Sequence, residues 1–431
     1  MTTIKSVAVL GAGTMGIGIA GHCASKGLDV LLLDLPGQAE KGIDRLKTIR
    51  PPAVDDPAQL ARIRPGTFEA DLDAAGQCDW IVEAVVEDLR VKQALFGRLE
   101  AVRRDGSVVS SNTSGIPLRA IAGGLPPRFR RDFAITHFFN PVKLMRLVEL
   151  VPGVETAPAT LGRLQAICGD VLGKGVVRAK DTVNFIGNRI GCFWMLAGLH
   201  KAEAALKSGV GMETIDAAMG APVGLPPTGL YGLIDLIGLD VMDLIGQNLA
   251  MNLPGGDPGR AFAAFPPAVA AMRARGQLGR KTGAGFYRQT AAADGTRRRE
   301  TFDLPTEQWR PARTPDRVPD NPAALLLSPE PIGRFAFDLM GATLSYAADL
   351  VPQIADDIVA IDRAMRWGFN WKRGPFELID AIGPNSFASA LERAGLQIPA
   401  MLQVLRAAGA PRFYRENQYL TRDGTWAEMP A

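Results

Sequence analysis

Cysteine and histidine are scarce in this chain of 431 residues: four cysteines, Cys23, Cys78, Cys168 and Cys192, and three histidines. The cysteines lie far apart, with no Cys-x-x-Cys and no histidine in zinc-ligand spacing. That spacing excludes a disulfide framework and a metal cluster, and it fits a reducing cytoplasm. Long apolar runs are also lacking. The most apolar stretch, Ile190 to Leu199, is too short to span a bilayer, and Met1 to Ser6 lead into an apolar strand with no basic leader. A cytoplasmic protein is expected. Lys plus Arg number 48 against 45 Asp plus Glu, and a formal charge of +3 excludes a broad electrostatic footprint for nucleic acid. What remains is an ordinary globular balance, 47% apolar and 22% charged, long enough for about three domains at roughly 150 residues each.

Up to about Asp181, short β-branched runs alternate with helical periodicity, the pattern of βαβ units. Val7–Leu10, Val30–Leu33, Trp80–Val86, Ser107–Ser111, Phe133–Phe139 and Leu147–Val151 read as strands, and Leu89–Val102 as a helix. A doubly wound parallel α/β sheet is expected over residues 1–182. Beyond it the strand signal stops. Two related all-α domains are expected, at 183–288 and 326–431, joined by an aperiodic connector at 289–325. They are linked by an internal repeat: Ile215-Asp216-Ala217-Ala218-Met219 with Gly229…Leu233-Ile234-Asp235-Leu236-Ile237-Gly238, and Ile361-Asp362-Arg363-Ala364-Met365 with Gly374…Leu378-Ile379-Asp380-Ala381-Ile382-Gly383.

Gly11-Ala12-Gly13-Thr14-Met15-Gly16 directly follows the first strand and opens a helix. In that context the first glycine permits the tight turn, the second lets a pyrophosphate approach the backbone, and the third allows close helix packing. The helix N-terminus offers N–H groups to phosphates. Asp34 ends the second strand at about the expected twenty residues on, where a carboxylate accepts the ribose hydroxyls of NAD and repels the extra phosphate of NADP. The reading is a Rossmann-type dinucleotide domain.

His137 lies in Thr136-His137-Phe138-Phe139-Asn140-Pro141, at the carboxyl end of an expected strand, where open α/β sheets place their ligands. Glu149 is a lone acid in the next apolar run, and a buried carboxylate needs a partner. A hydrogen bond to the imidazole supplies one, fixes the tautomer and supports a general base.

These motifs, together with Glu87-x-x-x-x-Lys92, Ser111-Asn112-Thr113-Ser114, Phe185-Ile186-Gly187-Asn188-Arg189 and Gly279-Arg280-Lys281-Thr282-Gly283-Ala284-Gly285-Phe286-Tyr287, resemble the (S)-3-hydroxyacyl-CoA dehydrogenases. The duplicated helical part resembles the dehydrogenase portion of the bifunctional fatty-acid β-oxidation enzymes. The resemblance implies NAD-dependent oxidation of a 3-hydroxyacyl-CoA, with His137 as base and Glu149 as its orienting partner. It implies that Ser114 hydrogen-bonds near the reacting oxygen and that Asn188 holds the thioester end. It also implies dinucleotide contacts for Glu87, Lys92, Asn140 and Lys281. Taken alone, Lys92 reads as a solvated helix residue, Asn140 as a turn former and Lys281 as a surface charge.

The chain departs from its relatives in two places. Val183-Asn184 stands where many have Pro-Gly, and the segment after Asp34 is short and interrupted by Pro51-Pro52, leaving Lys41 and Lys47 as the candidates for the CoA phosphates. Aligning the repeats sets Gly333-Arg334 opposite Asn188-Arg189, so the second copy lacks the asparagine. A structural role is expected for it, covering within one chain the surface that single-repeat relatives use to dimerise. A monomer, or a dimer through another surface, follows, and association with other β-oxidation enzymes is compatible with both. Two alternatives are a dehydrogenase of a free 3-hydroxy acid and a non-catalytic nucleotide-binding subunit of a β-oxidation complex. The chain is either a stand-alone dehydrogenase or a portion of a longer protein. Phe193, Trp194 and Met195 are candidates for an acyl pocket or for plain core.

Overall fold

The computed structural model describes residues 4–291 and 296–430; residues 1–3, at the approach to the first strand, 292–295 of the expected connector and the final residue lie outside it. The chain divides into two compact units, one running to Ile186 and including Gln353–Ala355, the other comprising Gly187–Pro352 and the chain from Asp356 onward. Among the described residues no helix is long and apolar enough to cross a membrane.

Eight strands form the sheet of the first unit: β1 (Ser6–Leu10), β2 (Asp29–Asp34), β3 (Ile63–Thr67), β4 (Trp80–Glu83), β5 (Val108–Ser111), β6 (Phe133–Phe138), β7 (Leu147–Pro152) and β8 (Gly175–Arg178). Their order is β3-β2-β1-β4-β5-β6-β7-β8. The sheet is the expected doubly wound, mostly parallel one, with a single antiparallel pairing, of β7 on β6. Val7, Val9, Leu10, Ile81 and Val82 are fully buried, as a sheet covered on both faces requires. Helix α1 (Thr14–Ser25) follows β1, α2 (Gln38–Thr48) follows β2, and α3 (Leu89–Val102) follows β4. The chain leaves β1 for β2 on one side and returns to β4 on the other, so the carboxyl ends of β1 and β4 frame a topological switch point.

The second unit is mainly helical, with α4 (Gly187–Lys207), α5 (Met212–Ala218), α6 (Gly229–Ile237) and α7 (Leu239–Asn252) in its first half. Its second half carries α8 (Ile358–Gly368), α9 (Pro375–Ile382) and α10 (Pro384–Arg393). The repeat is reproduced hydrogen bond by hydrogen bond. Asp216 accepts the N–H groups of Tyr231 and Gly232 and the Tyr287 hydroxyl, while Asp362 accepts those of Phe376 and Glu377 and the Tyr414 hydroxyl. Asp235 accepts from the backbone of Phe286 and Tyr287, and Asp380 from Phe413 and Tyr414. Gly229 and Gly374 are required in both copies, since a Cβ at either would lie 2.5 or 2.3 Å from the Cα of the paired aspartate.

Each copy closes on a three-stranded antiparallel sheet, β9 (Tyr287–Ala291), β10 (Arg297–Asp303) and β11 (Gln308–Pro311), or β12 (Tyr414–Arg415), β13 (Gln418–Leu420) and β14 (Trp426–Glu428). The expected aperiodic connector therefore begins inside a sheet, and the domains are not all-helical. Face alternation is hidden there because the β10 arginines stand on an exposed ribbon. Between the copies, Phe193 stacks on Tyr346 at 4.3 Å and Trp194 meets Trp371 edge-on at 6.3 Å. With Met195 they are buried core. Gly191 on α4 makes room for Phe369 of the second copy, and Gly198 for Leu230 of its own copy and, at 3.3 Å, for Leu339 of the second.

Candidate active site

At the carboxyl end of β1, Gly11 has φ +113° and lies so close to β4 that a Cβ would fall 2.5 Å from the Ala84 carbonyl oxygen. Gly16 packs its turn against Gly11, where a Cβ would meet the carbonyl oxygen at 1.8 Å. Gly13, at the N-cap of α1, faces open space, and no side chain caps the helix. Ala12 is buried, Thr14 is exposed and Met15 is half-buried. Asp34 accepts the N–H of Ala12 at 2.5 Å and that of Leu35 at 2.6 Å, which aims its carboxylate at the rim of the turn. Gly11, Gly13 and Asp34 line a cleft of about 480 Å³ together with Val86, Val91 and Arg98. A close backbone approach, an uncapped helix N-terminus and a terminal carboxylate fit a dinucleotide.

Beside this turn, Glu83 and Lys92 form a buried ion pair at 2.7 Å, their side chains 0% and 1% exposed. Lys92 also reaches Glu87 at 3.2 Å. Lys92 is thus no solvated helix residue. Burial pushes the Glu83 carboxyl up, against the pull of Lys92 and of Ser111, which donates to it at 2.6 Å. Glu87, which burial alone would raise, is held below the ordinary carboxylate range by Lys92 and by hydrogen bonds from Thr113 and Gly115. Glu87 accepts the Thr113 hydroxyl at 2.5 Å, the Ser114 N–H at 3.0 Å and the Gly115 N–H at 3.1 Å. The network fixes the turn after β5 that presents Ser114.

His137 on β6 stands directly opposite Glu149 on β7, so the antiparallel pairing itself brings the two together. His137 Nδ1 is 2.7 Å from Glu149 Oε2, and Nε2 is 3.0 Å from Ser114 Oγ. The His137 side chain is 4% and that of Glu149 0% exposed. A carboxylate only accepts, so Nδ1 carries the proton and donates it, leaving the Nε2 lone pair to accept from Ser114. The second carboxylate oxygen, Oε1, accepts the Ile186 N–H at 3.0 Å. That N–H is aimed by Asn184 and Phe185, with φ of +60° and +51°. Asparagine tolerates the left-handed region and phenylalanine rarely adopts it. The turn seats the Phe185 ring 5.6 Å from the imidazole, with Phe139 at 4.6 Å on β6's end.

The structure therefore brings together Ser114, His137 and Glu149 of the first unit, alongside the glycine turn, Asp34, Glu87 and Lys92. Asn140 is exposed just beyond β6. Asn188 lies in the first turn of α4 and Lys281, paired with Asp240 at 2.5 Å, lies before β9, both in the second unit. Glu83, Thr113 and the Ile186 N–H were missed. Glu83 carried a usable signal, a lone acid ending an apolar strand, the same one that pointed to Glu149.

Residues 6–182 match the family model described as 3-hydroxyacyl-CoA dehydrogenase, NAD binding domain. Residues 185–289 and 335–422, one stretch from each repeat, match that of 3-hydroxyacyl-CoA dehydrogenase, C-terminal domain. A Bacillus subtilis protein named as a probable 3-hydroxyacyl-CoA dehydrogenase is 36% identical over 450 residues, covering 96% of this chain and 56% of that protein. A Rickettsia felis protein named as a putative fatty acid oxidation complex trifunctional enzyme is 33% identical, covering 91% of this chain and 55% of its own length. The chain thus spans little more than half the length of these curated relatives. The crystal structure of an Escherichia coli 3-hydroxybutyryl-CoA dehydrogenase shares the fold with a TM-score of 0.68 at 24% identity, covering 93% of this chain and 98% of that one.

Proposed function

The chain belongs to the 3-hydroxyacyl-CoA dehydrogenase family and carries its NAD-binding domain, and on that premise we propose that it oxidises (S)-3-hydroxyacyl-CoA to 3-oxoacyl-CoA in fatty-acid β-oxidation. The observation that carries this reading is the Ser114–His137–Glu149 chain, with the lone pair of His137 Nε2 aimed away from its carboxylate. NAD, when bound, supplies the acceptor for the hydride leaving substrate C3. His137 Nε2 takes the proton of the 3-hydroxyl. Glu149 holds the Nδ1 proton and stabilises the imidazolium that results. Ser114 occupies the position from which a hydroxyl donates to Nε2, and it turns to hydrogen-bond the reacting oxygen once that oxygen arrives. Phe139 and Phe185 wall the ring and keep water from the developing charge.

The glycine turn, the N-terminus of α1 and Asp34 hold the dinucleotide, with Glu87, Lys92, Asn140 and Lys281 in supporting positions. Asn188 holds the thioester end. Asp34 sets the preference for NAD, because a 2′-phosphate would meet its charge. The packing of the second repeat on α4 supports an intrachain pseudo-dimer, and the trifunctional Rickettsia relative supports work beside other β-oxidation activities, in the cytoplasm.

Turnover of acetoacetyl-CoA with NADH, beside free acetoacetate and NADPH controls, tests the reading. Consumption confined to the CoA ester and NADH is expected. Robust turnover of the free acid would replace it with a 3-hydroxy acid dehydrogenase, and NADH binding without turnover would replace it with a nucleotide-binding subunit.

A further inference from the structure

The sheet that closes the first repeat borders a cleft of about 540 Å³, lined by Gly232, Asp235, Arg280, Tyr287, Arg288 and Arg299. Its charges are unevenly matched. Arg288 donates to Glu300 at 2.6 Å and lies over the Trp309 ring at 4.1 Å, and Arg299 lies over the Tyr287 ring at 4.0 Å. Among the described residues neither Arg280 nor Arg299 has a hydrogen bond or ion pair to a side chain. The one acid in the wall, Asp235, is engaged by the N–H groups of Phe286 and Tyr287. Stacking fixes a guanidinium's plane while leaving its N–H edge open, the arrangement suited to a phosphate fork.

The second repeat serves as an internal control, because it builds the same aspartate-centred hydrogen bonds with different residues at the positions that line this cleft. Gly232 and Glu377 are equivalent, each donating its N–H to the paired aspartate. Glu377 fills its space with a carboxylate that bonds Arg366 at 2.8 Å and the Gly374 N–H at 2.9 Å. At Gly232 a Cβ would meet only ordinary contacts, 3.5 Å or more away, so the fold does not demand glycine there. By strand register Arg299 corresponds to Asn417. The helix before the shared Phe-Tyr is Pro267–Ala274 in the first copy and Ala400–Ala407 in the second, so the longer turn that carries Arg280 has no counterpart, and the second copy's own cation, Arg412, directly precedes its Phe-Tyr. Arg288 has a counterpart in Arg415, which stacks on Trp426 at 4.0 Å, so that arginine belongs to the fold. The open floor and the pair Arg280 and Arg299 belong to the first copy alone.

We propose that this cleft binds the phosphate groups of a nucleotide-sized metabolite through Arg280 and Arg299, with Arg288 as flank. Its volume suits a small-molecule site, and two guanidinium forks that make no side-chain hydrogen bond, offset through space by Asp235 and Asp216, beside a third suit a phosphoester better than a single carboxylate. The chemistry has two sources, the phosphorylated adenosine end of coenzyme A or a free nucleotide. The first rests on the acyl-CoA reading above; the second does not.

Calorimetric titration of the full chain, saturated with NAD so that its own dinucleotide cleft is filled, tests the proposal with adenosine 3′,5′-bisphosphate, ADP and free coenzyme A. The wild type should bind adenosine 3′,5′-bisphosphate, and both the double variant Arg280→Ser/Arg299→Ser and the transplant Gly232→Glu should weaken it at least tenfold while NAD affinity and thermal midpoint hold. Parallel weakening of coenzyme A assigns the site to the CoA phosphates, and weakening of ADP with coenzyme A unaffected assigns it to a free nucleotide. Absence of binding by the wild type, or unchanged affinity in both variants, overturns the proposal. Because the readout is binding, its failure is separate from any failure of the dehydrogenase reading.

Discussion

Replacing Glu149 by glutamine changes one proton and almost no volume, yet it should disable the base. Oε1 of Glu149 accepts the Ile186 N–H at 3.0 Å, so the carbonyl oxygen of a glutamine must keep that place. The amide nitrogen is then left facing His137 Nδ1, at the position where Oε2 now stands 2.7 Å away. An amide N–H donates, which forces Nδ1 to accept and moves the ring proton to Nε2, the atom proposed to take a proton from substrate. General-base catalysis contributes roughly 10²–10⁴ in rate, and the corresponding Asp to Asn change in a serine-protease triad costs about 10⁴. A fall in kcat of that range, about 3–5 kcal/mol of transition-state stabilisation, is expected. Steady-state NADH formation from 3-hydroxybutyryl-CoA measures it, with NAD affinity and KM held near wild type. A loss below tenfold in a folded variant would refute the tautomer argument.

Other consequences follow from the same structure. Glu83→Gln strips Lys92 of its closest counter-charge in a buried site, and although Glu87 remains at 3.2 Å the cost should be about 3 kcal/mol. Urea unfolding measures it, and a change under about 1 kcal/mol would contradict a structural role for the pair. Asn184→Ala should cost roughly 1 kcal/mol and lower kcat, because alanine resists the φ of +60° that aims the Ile186 N–H, whereas Asn184→Gly should behave as wild type. Equal behaviour of the two variants would disprove the strain argument. The units should respond oppositely to pH. Burial, then Lys174, lowers His22 from 6.5 to about 4, so its contribution is present above pH 6.5 and lost as pH falls through about 4. Burial raises Asp216 from 3.8 to about 7 and Asp235 to about 6, so their contribution is present below pH 3.8 and lost as pH rises through those values. Hydrogen-exchange protection, corrected for intrinsic rates, should fall in α1 on acidification and in α6 on going to pH 8; parallel trends would contradict the assignment.

Much of the site was legible because its residues are tied to regular elements. The glycine turn must follow a strand and open a helix, and Asp34 must end the next strand, so spacing alone placed them. His137 and Glu149 were paired by a solvation argument, and the β6–β7 register supplies the geometry. What was hidden depends on backbone groups and non-local partners. The Ile186 N–H has no side-chain signature, and its aim comes from two left-handed residues that no periodicity reports. Strand β3 contains Pro65 and Gly66, which spoil the apolar pattern yet are tolerated at the sheet edge, and β8 is only four residues long at the other edge. The small sheets beyond β8 were missed because their arginines stack on aromatic rings instead of alternating with apolar residues.

His137 is proposed to take the proton of the substrate hydroxyl. Single-turnover NADH formation from (S)-3-hydroxybutyryl-CoA by His137→Gln, measured beside wild type with binding of NAD and of the CoA ester followed separately, tests it most directly. Both ligands should bind at near wild-type affinity, with a rate at least a hundredfold lower at neutral pH. A variant that binds both and turns over within a few-fold of wild type would contradict it.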